Sequence, residues 1–291
     1  MTQQDTRKGI WMMVATTFIF AMQDGISRHL AGTYNVYLIV MIRYWFFALF
    51  VLALAMRAPG GLRGMARVRH PWVQALRGVL LVVEIYVTIV AFVKLGLIDT
   101  HSVFISYPLM VVALSGPVLG EKVGWRRWVA VAVGFTGVLI ILQPGSGVFS
   151  ASAAIPLVAA LMFAVYALAT RYVADKDAAE VSFFWTGIIG AVTATLGGIW
   201  FWQPMSAGDW GWMAILCVTA VAGHWLMIKA YEITEASALQ PIAYLQLVFA
   251  AALGMSVFGD QLRLNVALGA ALTVGAGLFT IWRARVRARS S

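Results

Sequence analysis

Apolar residues run along this chain in blocks of about twenty, each bounded by charge, glycine or proline. The blocks fall near residues 9–30, 34–56, 72–95, 99–119 and 125–142, and then, past the Pro144-Gly145-Ser146-Gly147 turn, near 151–172, 181–202, 210–231, 236–258 and 265–282. A helix needs about 20 apolar residues to cross a hydrocarbon core about 30 Å thick. The pattern predicts an all-α polytopic membrane protein of ten transmembrane helices.

Composition agrees: of 291 residues 62% are hydrophobic and 11% charged, against about 25% charged in an average soluble domain. Too little polar surface exists to cover a soluble core, so lipid is the solvent and the bilayer the first partner. The net charge of +9 would suit nucleic acid only with a basic face on a folded polar domain, and the sequence offers none. Topology explains it instead. With both termini cytoplasmic, the inner segments hold Arg7, Lys8, Arg57, Arg63, Arg67, Arg69, Arg126, Arg127 and the arginines that follow Trp282, while the far side holds Arg28, Lys94 and Arg263. Trp200, Trp202, Trp210 and Trp212 fall at predicted outer ends, and Trp72, Trp125, Trp128 and Trp282 at inner ends, where amphipathic rings settle. The stretch after Arg7 and Lys8 ends without an Ala-x-Ala-like site, so it is expected to stay as a helix. Cys217 is the one cysteine, which excludes a disulfide framework or a cysteine metal cluster.

Sliding the sequence on itself by 139 positions matches Ala113 to Ala252, Leu114 to Leu253, Gly120 to Gly259 and Leu139 to Leu278. The same shift sets Glu121 on Asp260, an acid directly after glycine at the end of an apolar block; a shift of 143 sets Arg28 on Arg171. Small apolar identities are cheap, so the acidic pair and the shared order of five blocks carry the weight. Residues 1–145 and 146–291 are therefore expected to be two copies of a five-helix unit. Five is odd, so the copies enter the membrane in opposite senses, an inverted repeat whose interface encloses a site near the midplane.

The Gly120-Glu121 and Gly259-Asp260 ends of blocks four and nine, the Tyr107-Pro108 step and Arg43 resemble the ten-helix EamA-type members of the drug/metabolite transporter superfamily, over nearly the whole chain. Within it the sequence looks most like the YddG-type amino-acid exporters. That resemblance implies export of aromatic and other amino acids across a bacterial inner membrane by alternating access, with other small metabolites or drugs as the alternative cargo. The copies are not equivalent: the positions matching Glu84 and Pro108 are Gly223 and Leu247.

Ionisable side chains inside apolar blocks must face a cavity or a partner, because lipid exposure costs several kcal/mol. Asp24 with Gln23, Arg43, Glu84, His101 and His224 are such residues. Counting about 1.5 Å per residue puts Arg43 and Glu84 at similar depth, with Asp24 a turn farther out, so one buried cluster is expected. Acid and base together fit a zwitterion, whereas a bridge from Arg43 to Glu84 or Asp24 would only lock helices. Histidines change charge near neutral pH, which makes His101 and His224 candidates for proton relay beside plain interhelical hydrogen bonds. Tyr86, Tyr107, Tyr166, Trp225 and Tyr244 lie inside blocks, and their polar tips need a partner that a cavity wall supplies as well as core packing does. Pro108 and Pro241 each predict a bend. Gly134, Gly137 and Ala271, with other small residues of blocks five and ten, read as close-packed scaffold.

The sequence holds no Walker-A loop, Gly-x-Ser-x-Gly elbow or His-Glu-x-x-His pair. ATP-driven pumping and enzymatic chemistry are not expected, nor is a cofactor or metal. A monomer with small-molecule amino-acid substrates is the expected form.

Overall fold

The computed structural model describes residues 3–58, 60–120, 123–143, 151–174, 176–233, 239 and 242–290. Every regular element among them is helical: α1 (Gln3–Ala31), α2 (Val36–Arg57), the short α3 (Gly61–Ala66), α4 (Pro71–Phe104), α5 (Tyr107–Leu119), α6 (Trp125–Leu142), α7 (Ile155–Ala174), α8 (Ala179–Gly198), α9 (Ala207–Ile233), α10 (Leu245–Phe258) and α11 (Leu264–Ser290). Seven helices are long and apolar enough to cross a membrane, and Tyr107–Leu119, Leu245–Phe258 and Leu264–Phe279 are shorter apolar helices.

Local chemistry sets the ends. Asn35 caps α2 by accepting the Tyr37 N–H (2.9 Å). Pro71 and Pro108 sit in the first turns of α4 and α5, where a missing N–H costs nothing. Pro108 thus opens a helix after the turn at Ile105–Ser106 instead of bending one from within; Pro241 and Glu121 lie outside the described residues. Gly120 and Gly259 close α5 and α10 in the left-handed conformation (φ 72° and 67°), as the Gly-acid steps of the sequence suggested.

Helix α4 is too long for one straight crossing at about 1.5 Å per residue, and it breaks at Gly96 (φ 84°, ψ 173°), the backbone region that favours glycine. The break falls where the apolar pattern separates block three from block four. Its arms are 71–95 and 97–104.

The main helix pairings join elements from opposite sides of residues 144–150: α1 with α9 and α10, α2 with α8, α4 with α7, and α6 with α11. The largest core lies between α2, α4, α8 and α9, around Leu38, Tyr44, Phe92 and Phe183. All eight tryptophans expected at the interfaces are exposed, as is a girdle that includes Leu49, Val192, Leu196 and Val248. Such a surface suits lipid.

Candidate functional site

One stripe of α1, Met13–Thr17–Phe20–Asp24–Ser27, follows the helical period and lines a central cavity of about 100 Å³. A matching stripe of α4 contributes Leu81, Glu84, Thr88 and Phe92. Arg43 enters from α2, His224 from α9, Tyr107 from α5 and Gln246 from α10. From Met13 to Ser27 the wall rises about 21 Å, at about 1.5 Å per residue.

The break at Gly96 shapes the site, because it sends the short arm of α4 back so that His101 joins the wall beside Asp24. His101 is 2% exposed, and its Nε2 lies 3.0 Å from Asp24 Oδ2. That approach meets the distance of an ion pair but not the alignment of a hydrogen bond, and among the described residues neither ring nitrogen has an aligned partner. Gln246 Nε2 donates to the same Asp24 oxygen (3.1 Å). On α4 the Thr88 hydroxyl donates to Glu84 Oε1 (2.6 Å), an i, i+4 contact. Glu84 is 4% exposed.

Arg43 is 7% exposed, yet among the described residues it has no hydrogen bond, no cation–π contact and no carboxylate within 4.0 Å. The bridge to Glu84 or Asp24 that the sequence left open is not formed: those carboxylates are engaged by Thr88 and by Gln246 and His101. His224 lies 3.0 Å from the Ala220 carbonyl through Nδ1, which places its proton there, and its ring packs on Phe20 and Phe47.

Gln23 anchors α1 to α9 by donating to the Thr219 carbonyl (3.2 Å), with its side chain on the cavity wall. Tyr107 meets Phe104 and Phe163 at ring separations of 5.4 and 4.8 Å, and the three form an aromatic wall. Tyr86, Tyr166, Trp225 and Tyr244 stand elsewhere. Tyr86 packs on Tyr37 and donates to the Ala194 carbonyl (3.4 Å). Tyr166 lies under Arg77, Trp225 packs between Phe183 and Lys229, and Tyr244 is buried against α11.

Gln246, Thr88, Phe104 and Phe163 were not singled out from sequence. Gln246 is an uncharged amide in a block that also holds Gln240, so a search for ionisable side chains passes over it. Thr88 follows Glu84 by one helical turn, whereas the phenylalanines carry no mark that separates them from core.

One residue past Ser27, Arg28 Nη1 donates to both Asp260 oxygens (2.9 and 2.8 Å) and its guanidinium lies 4.3 Å from the Phe258 ring. Asp260 Oδ2 also accepts the Leu97 N–H (2.8 Å), freed by the break at Gly96. This carboxylate fastens α1 to the elbow of α4 at that end of the cavity. A Cβ on Gly96 would come within 2.9 Å of it.

A model of the EamA-like transporter family matches residues 7–143 and again residues 150–282. The chain belongs to that family. It is a membrane transporter, a multi-pass protein of the bacterial inner membrane. Similar proteins include the S-adenosylmethionine uptake transporter of Rickettsia prowazekii, 23% identical over 94% of this chain and 92% of that protein. They also include the riboflavin transporter of Rhizobium johnstonii, 30% identical over 81% and 78%. The pseudopaline exporter of Pseudomonas aeruginosa is 22% identical over 94% of each chain. One crystal structure superposes over the whole of both chains with a TM-score of 0.66 at 15% identity, a likeness of fold. These relatives are named for uptake and for export of unlike solutes, and none of the three for amino acids.

Proposed function

We propose that this transporter carries amino acids and related zwitterions across the bacterial inner membrane by alternating access through the central cavity. Two five-helix units, residues 1–145 and 146–291, lie in opposite senses, with both termini cytoplasmic. The observation that carries the reading is the cavity itself, walled by α1, α2, α4 and α5 from one unit and α7, α9 and α10 from the other, with acid and base on one surface. Seven long and three shorter apolar helices supply the ten segments the arrangement needs. The family match occurs twice, and the turns at Ile105 and Tyr244, like the caps at Gly120 and Gly259, stand 139 positions apart.

A second reading, in which the cargo is a larger solute built on a flat heteroaromatic ring, is favoured by two relatives' names and by the Phe104–Tyr107–Phe163 wall. S-Adenosylmethionine joins the two readings, since it bears both a purine and an α-amino acid head.

Counterflow decides between them. Proteoliposomes of the full chain, preloaded with unlabelled solute, are expected to take up labelled L-phenylalanine faster than empty vesicles. Exchange of riboflavin but not phenylalanine selects the second reading, and exchange of neither phenylalanine, S-adenosylmethionine nor riboflavin overturns both.

A further inference from the structure

We infer that Arg43 is the receptor for the cargo's carboxylate, so that this cavity selects solutes bearing a carboxylate and an ammonium a few bonds apart. The inference rests on the transport reading above and specifies its chemistry. A guanidinium in an apolar interior is normally met by a carboxylate or by a full set of acceptors. Arg28 follows that rule by holding Asp260, and Arg77 follows it in part, donating to Gln74 and Thr170 with only Nη2 left over among the described residues. Arg43 departs from it. Its planar fork of donors, matched in shape to a carboxylate, lines the cavity with no side-chain partner among the described residues.

The nearby acids do not fill the gap because each is turned to another partner. Asp24 takes the Gln246 amide and faces His101, and Glu84 takes the Thr88 hydroxyl on one oxygen only. The second Glu84 oxygen has no hydrogen bond among the described residues, which leaves it for an ammonium. A zwitterion laid across the cavity meets Arg43 with one end and Glu84 with the other. A ring on its side chain then falls to the wall of Phe104, Tyr107 and Phe163.

The test uses the reconstituted full chain and three probes that differ at one group each: L-phenylalanine, phenethylamine without the carboxylate, and 3-phenylpropionate without the ammonium. In the native protein, phenethylamine is expected to compete with labelled L-phenylalanine at least about tenfold more weakly than unlabelled L-phenylalanine does, the worth of one charge-assisted pair. 3-Phenylpropionate should fall short by a similar factor. In Arg43→Gln, L-phenylalanine exchange drops by about tenfold or more, and the preference over phenethylamine disappears while that over 3-phenylpropionate persists. Arg43→Lys keeps the charge but not the fork and recovers part of both.

Phenethylamine competing as well as L-phenylalanine in the native protein overturns the proposal without any variant. So does Arg43→Gln with native exchange and native preference. Absence of exchange by the native protein with any amino acid removes the amino-acid reading, and the carboxylate site with it, whereas exchange without carboxylate preference removes the site alone.

Discussion

Arg43 and Arg77 both carry a guanidinium into the apolar interior, on α2 and on α4, and they are met there in opposite ways. Arg77 is fully buried and wrapped: Nε donates to Thr170 (2.9 Å), Nη1 donates to Gln74, and the Tyr166 ring lies 5.3 Å from the guanidinium. The wrapping extends outward, since Gln74 donates to Asp177 (2.9 Å) and Ser182 (3.1 Å), and Asp177 accepts the Arg69 N–H (3.0 Å). That network ties α4 to α7 and α8. Arg43 has no such network, and its helix is held by apolar packing of Leu38, Tyr44, Phe47 and Val51. Burial of charge therefore takes two forms in one molecule: Arg77, with two of its three guanidinium nitrogens engaged, ties helices together, and Arg43, with none engaged among the described residues, lines the cavity.

The contrast makes ordered predictions for the thermal unfolding of the purified protein. Arg77→Met, which leaves the buried Gln74 carbonyl without its donor, is expected to cost about 2–3 kcal/mol and to lower the yield of monodisperse protein. Asp260→Asn loses the charge of the Arg28 pair but keeps an acceptor for the Leu97 N–H, so about 1.5 kcal/mol is expected. Tyr86→Phe removes a long hydroxyl contact outside the cavity and should cost about 0.6 kcal/mol or less, with counterflow unchanged. Arg43→Met stands last: stability is expected to be unaltered or slightly raised while exchange is lost, because a buried charge without a partner contributes nothing to the fold. Equal destabilisation by Arg43→Met and Arg77→Met would erase the distinction.

Seven of the cavity residues, Gln23, Asp24, Arg43, Glu84, His101, Tyr107 and His224, were legible in the sequence. Five of them are charged or imidazole side chains in apolar blocks, and lipid leaves such groups few places to go. The aromatic criterion discriminated poorly. Tyr86, Tyr166 and Trp225 satisfy their polar tips or ring faces on a carbonyl, a guanidinium and an ammonium away from the cavity, so a polar tip inside a block does not specify a cavity wall. Phe104 reaches the wall past the break at Gly96, and Phe163 reaches it from α7, three-dimensional facts that hydropathy does not encode. The block boundaries were read well where glycine or charge interrupts them, as at Gly96 and Gly120. The short helical arm 97–104 beyond the break is not marked by the pattern, which registers loss of apolarity and not loss of direction.

Where α6 crosses α11, the backbone oxygens of Gly137 and Gly269 each fill the volume that a methyl group on the other residue would need, and the Thr273 hydroxyl donates to the Gly134 and Gly269 carbonyls (3.1 and 2.9 Å). Main chain meets main chain there, with the Thr273 hydroxyl bridging them, so sliding the helices would drive one backbone into the other. The seam is thus a keel: in the alternating access proposed above, the helices around the hollow swing about it.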